Sequence, residues 1–291
     1  MRKVELALDA KAALGECPRW HAGEGVLYFV DIPNRTLNRF DPHTGAHDVR
    51  GFDQPVGSFV FRRAGGFVLA MKTGFALLDT FDGAPRPFGP QVEAGREHVR
   101  FNDGRTDPQG RFWAGTMDAT KTQHDGALYR LDADGSVARM AEGALTSNGI
   151  AVSPDQRTLY YTDTPTHTIG AYDFDADAGT ISNPRTFHAF PHGHGRPDGA
   201  SVDAEGCYWA ALYAGGRVVR LSPAGEIVEE VAIPAVNVTM IGFGGEDLRT
   251  AYVTTARQNA APEDLERFPH AGGVFSFRVE TPGLAEVPFA G

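Results

Sequence analysis

Six short apolar runs recur along the chain: LYFVD from Leu27, FVLAM from Phe67, FWAGT from Phe112, LYYTD from Leu159, YWAAL from Tyr208 and AYVTT from Ala251. Most follow a Gly- or Asp-containing turn (GEG, AGG, PQG, PDQ, AEG, GED). Most precede a second strand-like run such as TLNRFDPHTG, GALYRLDADG or IGAYDFDADAG. A unit of about 45 residues with several short strands and no helical period is a β-propeller blade of four strands. Leucine-rich repeats are shorter, and tetratricopeptide or ankyrin units would show a 3.6-residue period. Six copies predict an all-β, six-bladed β-propeller forming a single domain over residues 1–291. The chain begins with a spare strand-like run, VELAL, and nears its end with FSFRV. The N-terminal strand is expected to complete the last blade and close the ring, which removes the edges an open array would leave.

The bulk composition agrees and narrows the function. Gly 35 and Pro 19 supply many turns, and 42% apolar residues suffice for a core. A net charge of −10 argues against binding nucleic acid through its phosphates and suits a site that holds a cation. Two cysteines, Cys17 and Cys207, are too few for a disulfide scaffold and read as small buried hydrophobes. The N-terminus MRKVELALDAKAAL has no apolar signal core. No stretch reaches the roughly 18 apolar residues of a membrane span. The expectation is a cytoplasmic monomer with no nucleic-acid or membrane partner.

Polar residues occur at one phase of the repeat. Asn102 lies five residues before Asp107, Asp198 five before Asp203, Asn148 five before Ser153 and Glu16 five before His21. Gly57 and Thr239 take the corresponding places in the other two repeats. In a radial fold, a fixed phase means a fixed radius and height. Glu16, Asn102, Asn148 and Asp198 are therefore predicted to converge at one mouth of the central channel. Turn chemistry alone accounts for an Asn-Gly or Asp-Gly before a strand. It accounts poorly for Glu16, and two carboxylates aimed at one axis repel unless something offsets their charge. A divalent cation does so. Glu16, Asp198 and the Asn148 amide oxygen are hard ligands that suit Ca²⁺, Mg²⁺ or Mn²⁺ and leave coordination positions open.

The runs LGECPRW, RFNDGRTDPQGRFWAGTM, GALYRL, SNGIAVSPD, LYYTDT and RPDGASVDAEGCYWAAL resemble the SMP-30/gluconolactonase/regucalcin family, in order and over about residues 14 to 278. The resemblance implies a six-bladed propeller with one divalent metal in its channel that hydrolyses a sugar lactone. It implies Glu16, Asn148 and Asp198 as metal ligands, Asp198 as general base, and Arg100 and Asn102 as substrate contacts. Calcium is the metal most expected, with Zn, Mg, Mn or Fe(II) as alternatives. Some members carry a sugar-contacting glutamate shortly after GTM. Here the run is GTMDATKT, with Thr120 near that place and Asp118 the nearby acid, so sugar preference is open. The loop histidines His188, His192 and His194 are further rim candidates. Trp20, Trp113, Trp209, Phe112 and Tyr208 are expected to pack between blades, with Phe101 and Tyr213 nearer the pocket. No GxSxG elbow is present. Two other functions fit the same pattern: a metal-dependent phosphotriester hydrolase, and a non-catalytic Ca²⁺-binding propeller.

Overall fold

The structure is a computed structural model describing residues 2–291. It contains six four-stranded antiparallel sheets, a six-bladed β-propeller. The innermost strands are Gly15–His21, Val56–Phe61, Val99–Thr106, Ser147–Val152, Arg196–Val202 and Asn237–Gly244, which open blades 1 to 6 in that order. Each packs against the next, and Asn237–Gly244 packs back against Gly15–His21. The repeated apolar runs are the second strands, buried on both faces; Val26–Asp31, Phe67–Met71 and Phe112–Asp118 have no exposed residue. In blade 6, Asn237–Gly244, Thr250–Ala256 and Val274–Arg278 are followed outward by Glu5–Leu8, antiparallel to Val274–Arg278.

The recurrent Asp-x-x-Gly turn between first and second strands has a structural cause. Asp107 accepts hydrogen bonds from the amides of Gln109 and Arg111 with one oxygen and from Trp113 Nε1 at 3.0 Å with the other. Asp203 repeats this with Glu205, Cys207 and Trp209 Nε1 at 2.9 Å. A carboxylate that satisfies two turn amides and a buried indole fixes both the turn and the aromatic. The large aromatics then bridge blades: Trp113 to Phe174, Phe112 to Phe75, Tyr208 to Tyr160, Trp209 to Phe243 and Trp20 to Tyr252. Cys17 and Cys207 are free thiols and buried. Among the described residues no helix is long and apolar enough to cross a membrane.

Beyond the sixth blade, residues 279–291 run across the far end of the channel, where the innermost strands finish. The segment bridges to Asp203 through Gly283 and to Arg62 through Phe289, and the Ala290 amide donates to the Gly110 carbonyl. Phe289 is fully buried in the core between blades 2 and 3. Glu286 pairs with Arg19 at 2.5 Å and Arg105 at 3.3 Å. The channel is thus strapped at one end, and polar groups gather at the other.

Candidate active site

All six innermost strands carry a bulge at the same height. One extra residue is accommodated between Glu16 and Arg19, Val56 and Ser58, Phe101 and Gly104, Asn148 and Ala151, Pro197 and Ala200, and Val238 and Met240. A bulge bends its strand and re-aims a side chain. This is why the polar phase of the repeat lands on the channel mouth. In blades 1 and 4 the residue after the polar one is left-handed: Cys17 at φ 57° and Gly149 at φ 62°. Glycine adopts that conformation freely. A side chain at position 149 would also lie 2.4 Å from the Tyr208 hydroxyl.

Glu16, Asn148 and Asp198 line one cavity with Arg100 and Asn102. Its empty volume is about 1020 Å³, the open mouth included. The two acids are 6% and 5% exposed. Burial pushes both carboxyls well above the usual range. Asp198 and then Asp103 raise Glu16 further, and Asp103 raises Asp198. Other buried carboxylates have donors: Asp31 takes the amides of Ala13 and Leu14, Glu93 the hydroxyls of Thr116 and Tyr129, and Asp103 the amides of Gly104 and Ile150. Among the described residues, Glu16 and Asp198 receive no side-chain hydrogen bond and form no ion pair; Arg100 and the Cys17 amide lower Glu16, and Arg196, Lys121 and Arg100 lower Asp198, by less than burial raises them. Buried, unpaired and close enough to repel, they form a site that fits a cation.

The neutral oxygen is held in place. Asn102 Nδ2 donates to Asn148 Oδ1 at 2.8 Å and to the Ser147 carbonyl at 3.0 Å. Asn148 Nδ2 donates to Thr164 Oγ1 at 2.8 Å, and that hydroxyl donates to the Pro197 carbonyl at 2.8 Å. Arg100 Nη1 donates to Asn102 Oδ1 at 2.8 Å. This relay crosses blades 3, 4 and 5 and fixes the Asn148 amide with nitrogen toward Thr164 and oxygen toward Asn102. Burial pushes the Arg100 guanidinium down to about 10, although Glu16 and Asp198 oppose the shift, so it stays charged at neutral pH. Nowhere among the described residues do three His, Cys, Asp or Glu side chains gather around a metal position. The donor set here is two acids and an amide, an all-oxygen set for a hard divalent ion.

The profile of the SMP-30/Gluconolactonase/LRE-like region matches residues 14–257. The chain belongs to this family. Within it, the 6-deoxy-6-sulfogluconolactonase of Pseudomonas putida is 44% identical over 284 residues, 96% of each chain. Regucalcin of Homo sapiens is 36% identical over 296 residues, 99% of each. The crystal structure of a calcium-binding protein, regucalcin, from Agrobacterium tumefaciens superposes with a TM-score of 0.94 at 25% identity, covering 99% of this chain and 97% of that one.

In this SMP-30/gluconolactonase-type propeller several candidate rim residues lie elsewhere than their sequence positions suggest. Thr120 is exposed and does not line the cavity; its hydroxyl donates to Asp118 Oδ1 at 2.6 Å, and the cavity wall from that loop is Ala119 and Lys121. Phe101 is fully buried against Phe75 and Tyr129, because its side chain faces away from the channel, whereas Tyr213 does line the cavity. His188 is tied to the Gly225 carbonyl at 2.8 Å, and His192 packs on His167 with centroids 4.1 Å apart. Neither these two nor His194 reaches the cavity wall. Thr164 and Asp103 were not singled out in the sequence. Thr164 follows the LYYTD run directly, and Asp103 follows the polar phase by one residue, where a bulge puts two consecutive residues to work.

Proposed function

We propose that the protein hydrolyses a sugar (aldono) lactone to the aldonic acid, with a divalent metal held by Glu16, Asn148 and Asp198 in the channel of a single domain spanning 1–291. In this reading the N-terminal strand Glu5–Leu8 closes the ring. The observation that carries the reading is the pair of buried carboxylates without side-chain donors or ion pairs beside a pinned amide oxygen. Family membership and the similarity to a sulfogluconolactonase support it. Calcium suits the all-oxygen donors best, with Mg, Mn, Zn or Fe(II) as other occupants.

When bound, such an ion supplies Lewis acidity toward a lactone carbonyl. The chain's own groups do the rest. Asp198 would accept the proton of the attacking water, general-base assistance of about 10²–10⁴-fold. Arg100 and Asn102 hold sugar hydroxyls and orient the ring. Asn102 also keeps the Asn148 oxygen directed at the site. A phosphotriester is the second substrate class with an oxygen such a site could polarise, and a non-catalytic calcium-binding role is the remaining alternative.

The test is Asp198→Asn, with turnover of pentono- and hexonolactones and a phosphotriester followed by proton release, and metal content measured. The variant is expected to stay folded and lose turnover by about two orders of magnitude or more. Chelator-treated wild type should lose turnover and regain it with added divalent ion. Near wild-type lactone hydrolysis by Asp198→Asn refutes the assignment, and hydrolysis of the phosphotriester alone favours the second substrate class.

A further inference from the structure

The cavity of this acidic chain is lined by three cations. Arg100, Lys121 and Arg196 share its wall with only two acids, Glu16 and Asp198. If those two balance a divalent ion, three positive charges remain without a counter-charge in a chain of net charge −10. All three act on Asp198 from a distance, and Arg100 also on Glu16, but among the described residues none forms a direct ion pair with a carboxylate. Lys121 makes no side-chain hydrogen bond. The Arg196 guanidinium lies over the Tyr213 ring, 5.3 Å from its centroid.

Lys121 is placed there by a dedicated device. The Asp118 carboxylate accepts the amides of Thr120, Thr122 and Gln123 at 2.8, 2.7 and 2.6 Å and the Thr120 hydroxyl at 2.6 Å. The Lys121 amide donates to the Asp118 carbonyl at 3.0 Å, and Lys121 itself is left-handed at φ 56°. A non-glycine residue rarely takes that conformation unless its surroundings impose it. The loop is anchored through its backbone while the ammonium is left free at the cavity. Arg196 opens the innermost strand of blade 5, and Lys121 leaves blade 3. Between them, blade 4 contributes Thr164 and Pro165 to the wall. The two cations therefore flank the blade 4 side of the mouth. With Arg100 and Asn102 already assigned to the sugar hydroxyls, neutral hydroxyls do not call for two further cations.

We infer that the substrate is an anionic sugar lactone, carrying a sulfonate, phosphate or carboxylate away from the reacting ester, and that Lys121 and Arg196 receive this second group. The inference rests on the lactonase reading and names its substrate class. The oxygens of any of these anions match an ammonium and a guanidinium. Charge attraction of this kind weakens as salt rises.

The experiment compares kcat/KM of the metal-loaded protein on glucono-1,5-lactone and on its 6-sulfonate, 6-phosphate and 6-carboxylate counterparts, for wild type, Lys121→Met and Arg196→Met. Calorimetric titration of 1,5-anhydroglucitol and its 6-phosphate, which have no carbonyl to hydrolyse, reads binding alone. Wild type is expected to favour the anionic lactones by about tenfold or more, mainly through KM, with the preference shrinking in high salt. Each variant should cut that preference by about tenfold, and the phosphate should tighten anhydroglucitol binding to wild type only. The best of the three anionic lactones identifies the group. Equal kcat/KM for neutral and anionic lactones, or a preference the two variants leave intact, overturns the inference while the lactonase reading stands. If no lactone is hydrolysed the lactonase reading fails, and equal binding of the two anhydroglucitols then overturns the inference as well.

Discussion

Replacing Glu286 tests whether the C-terminal strap is held by charge or merely lies across the channel. Its carboxylate meets Arg19 at 2.5 Å and Arg105 at 3.3 Å, with the Arg19 side chain 0% and the Glu286 side chain 13% exposed. Removing one partner of a buried pair costs about 3–5 kcal/mol, because the other charge is left in a dry site. Arg19 would keep the Phe59 and Gly104 carbonyls as acceptors. That places Glu286→Ala near the lower bound, about 3 kcal/mol. Glu286→Gln keeps an acceptor and loses only the charge, about 1–2 kcal/mol. At about 2–4 °C per kcal/mol, the alanine variant should melt roughly 6–12 °C below wild type. Burial raises the Glu286 carboxyl, but Arg19 and Arg105 lower it more, so its folded value lies below the usual range. A depressed carboxyl contributes stability that is complete above the unfolded value, about 4.3, and lost as pH falls through the folded value. The gap between wild type and Glu286→Gln should be full at pH 7 and shrink below about pH 4. Thermal and urea unfolding followed by circular dichroism reads this. Asp48→Ala serves as control: it breaks an exposed pair with Arg39 and should cost under about 1 kcal/mol. A Glu286→Ala variant within about 1 kcal/mol of wild type at pH 7, or a gap that widens in acid, refutes the reasoning.

Two more substitutions probe the mouth. Gly149→Ala puts a methyl group 2.4 Å from the Tyr208 hydroxyl and 2.9 Å from Thr162 Oγ1, in a left-handed residue next to Asn148. It should destabilise by about 1–3 kcal/mol and weaken metal binding; unchanged melting and metal titration would contradict the packing described. Thr120→Val removes a hydroxyl that faces Asp118 and not the cavity. It should leave kcat/KM for a hydrolysed lactone within about twofold, and a tenfold rise in KM would return Thr120 to the substrate site.

The six blades were legible because their second strands are buried on both faces, and burial writes an apolar run into each repeat. The outermost strands carry no such mark. Thr180–Ala189 is mostly exposed, with Asn183, Pro184, Arg185 and Thr186 all facing solvent, and only its pairing with Thr168–Asp175 identifies it as a strand. The strap was invisible for another reason. Glu286, Val287 and Phe289 have partners more than 170 residues away, and nothing local distinguishes them from a loose tail.

The candidate site divides along the same line. Glu16, Asn102, Asn148 and Asp198 could be placed together because each sits on a strand with a bulge at one shared height, so position in the repeat serves as a radial coordinate. Loop residues have no such coordinate. Thr120 and Lys121 are adjacent, yet the Asp118 carboxylate turns the first to itself and leaves the second at the cavity. Strands repeat under the constraint of ring closure, so Glu16, Asn102, Asn148 and Asp198 are fixed by the fold. The loop between Asp118 and Gly126 is free of that constraint, and a single step along it replaces a neutral hydroxyl with an ammonium. In the proposed function the bulged strands would hold the reacting end of a substrate. On the inference above, its other end would meet Lys121 from a loop and Arg196 from the start of a bulged strand, and the loop contact is the one the repeat does not encode.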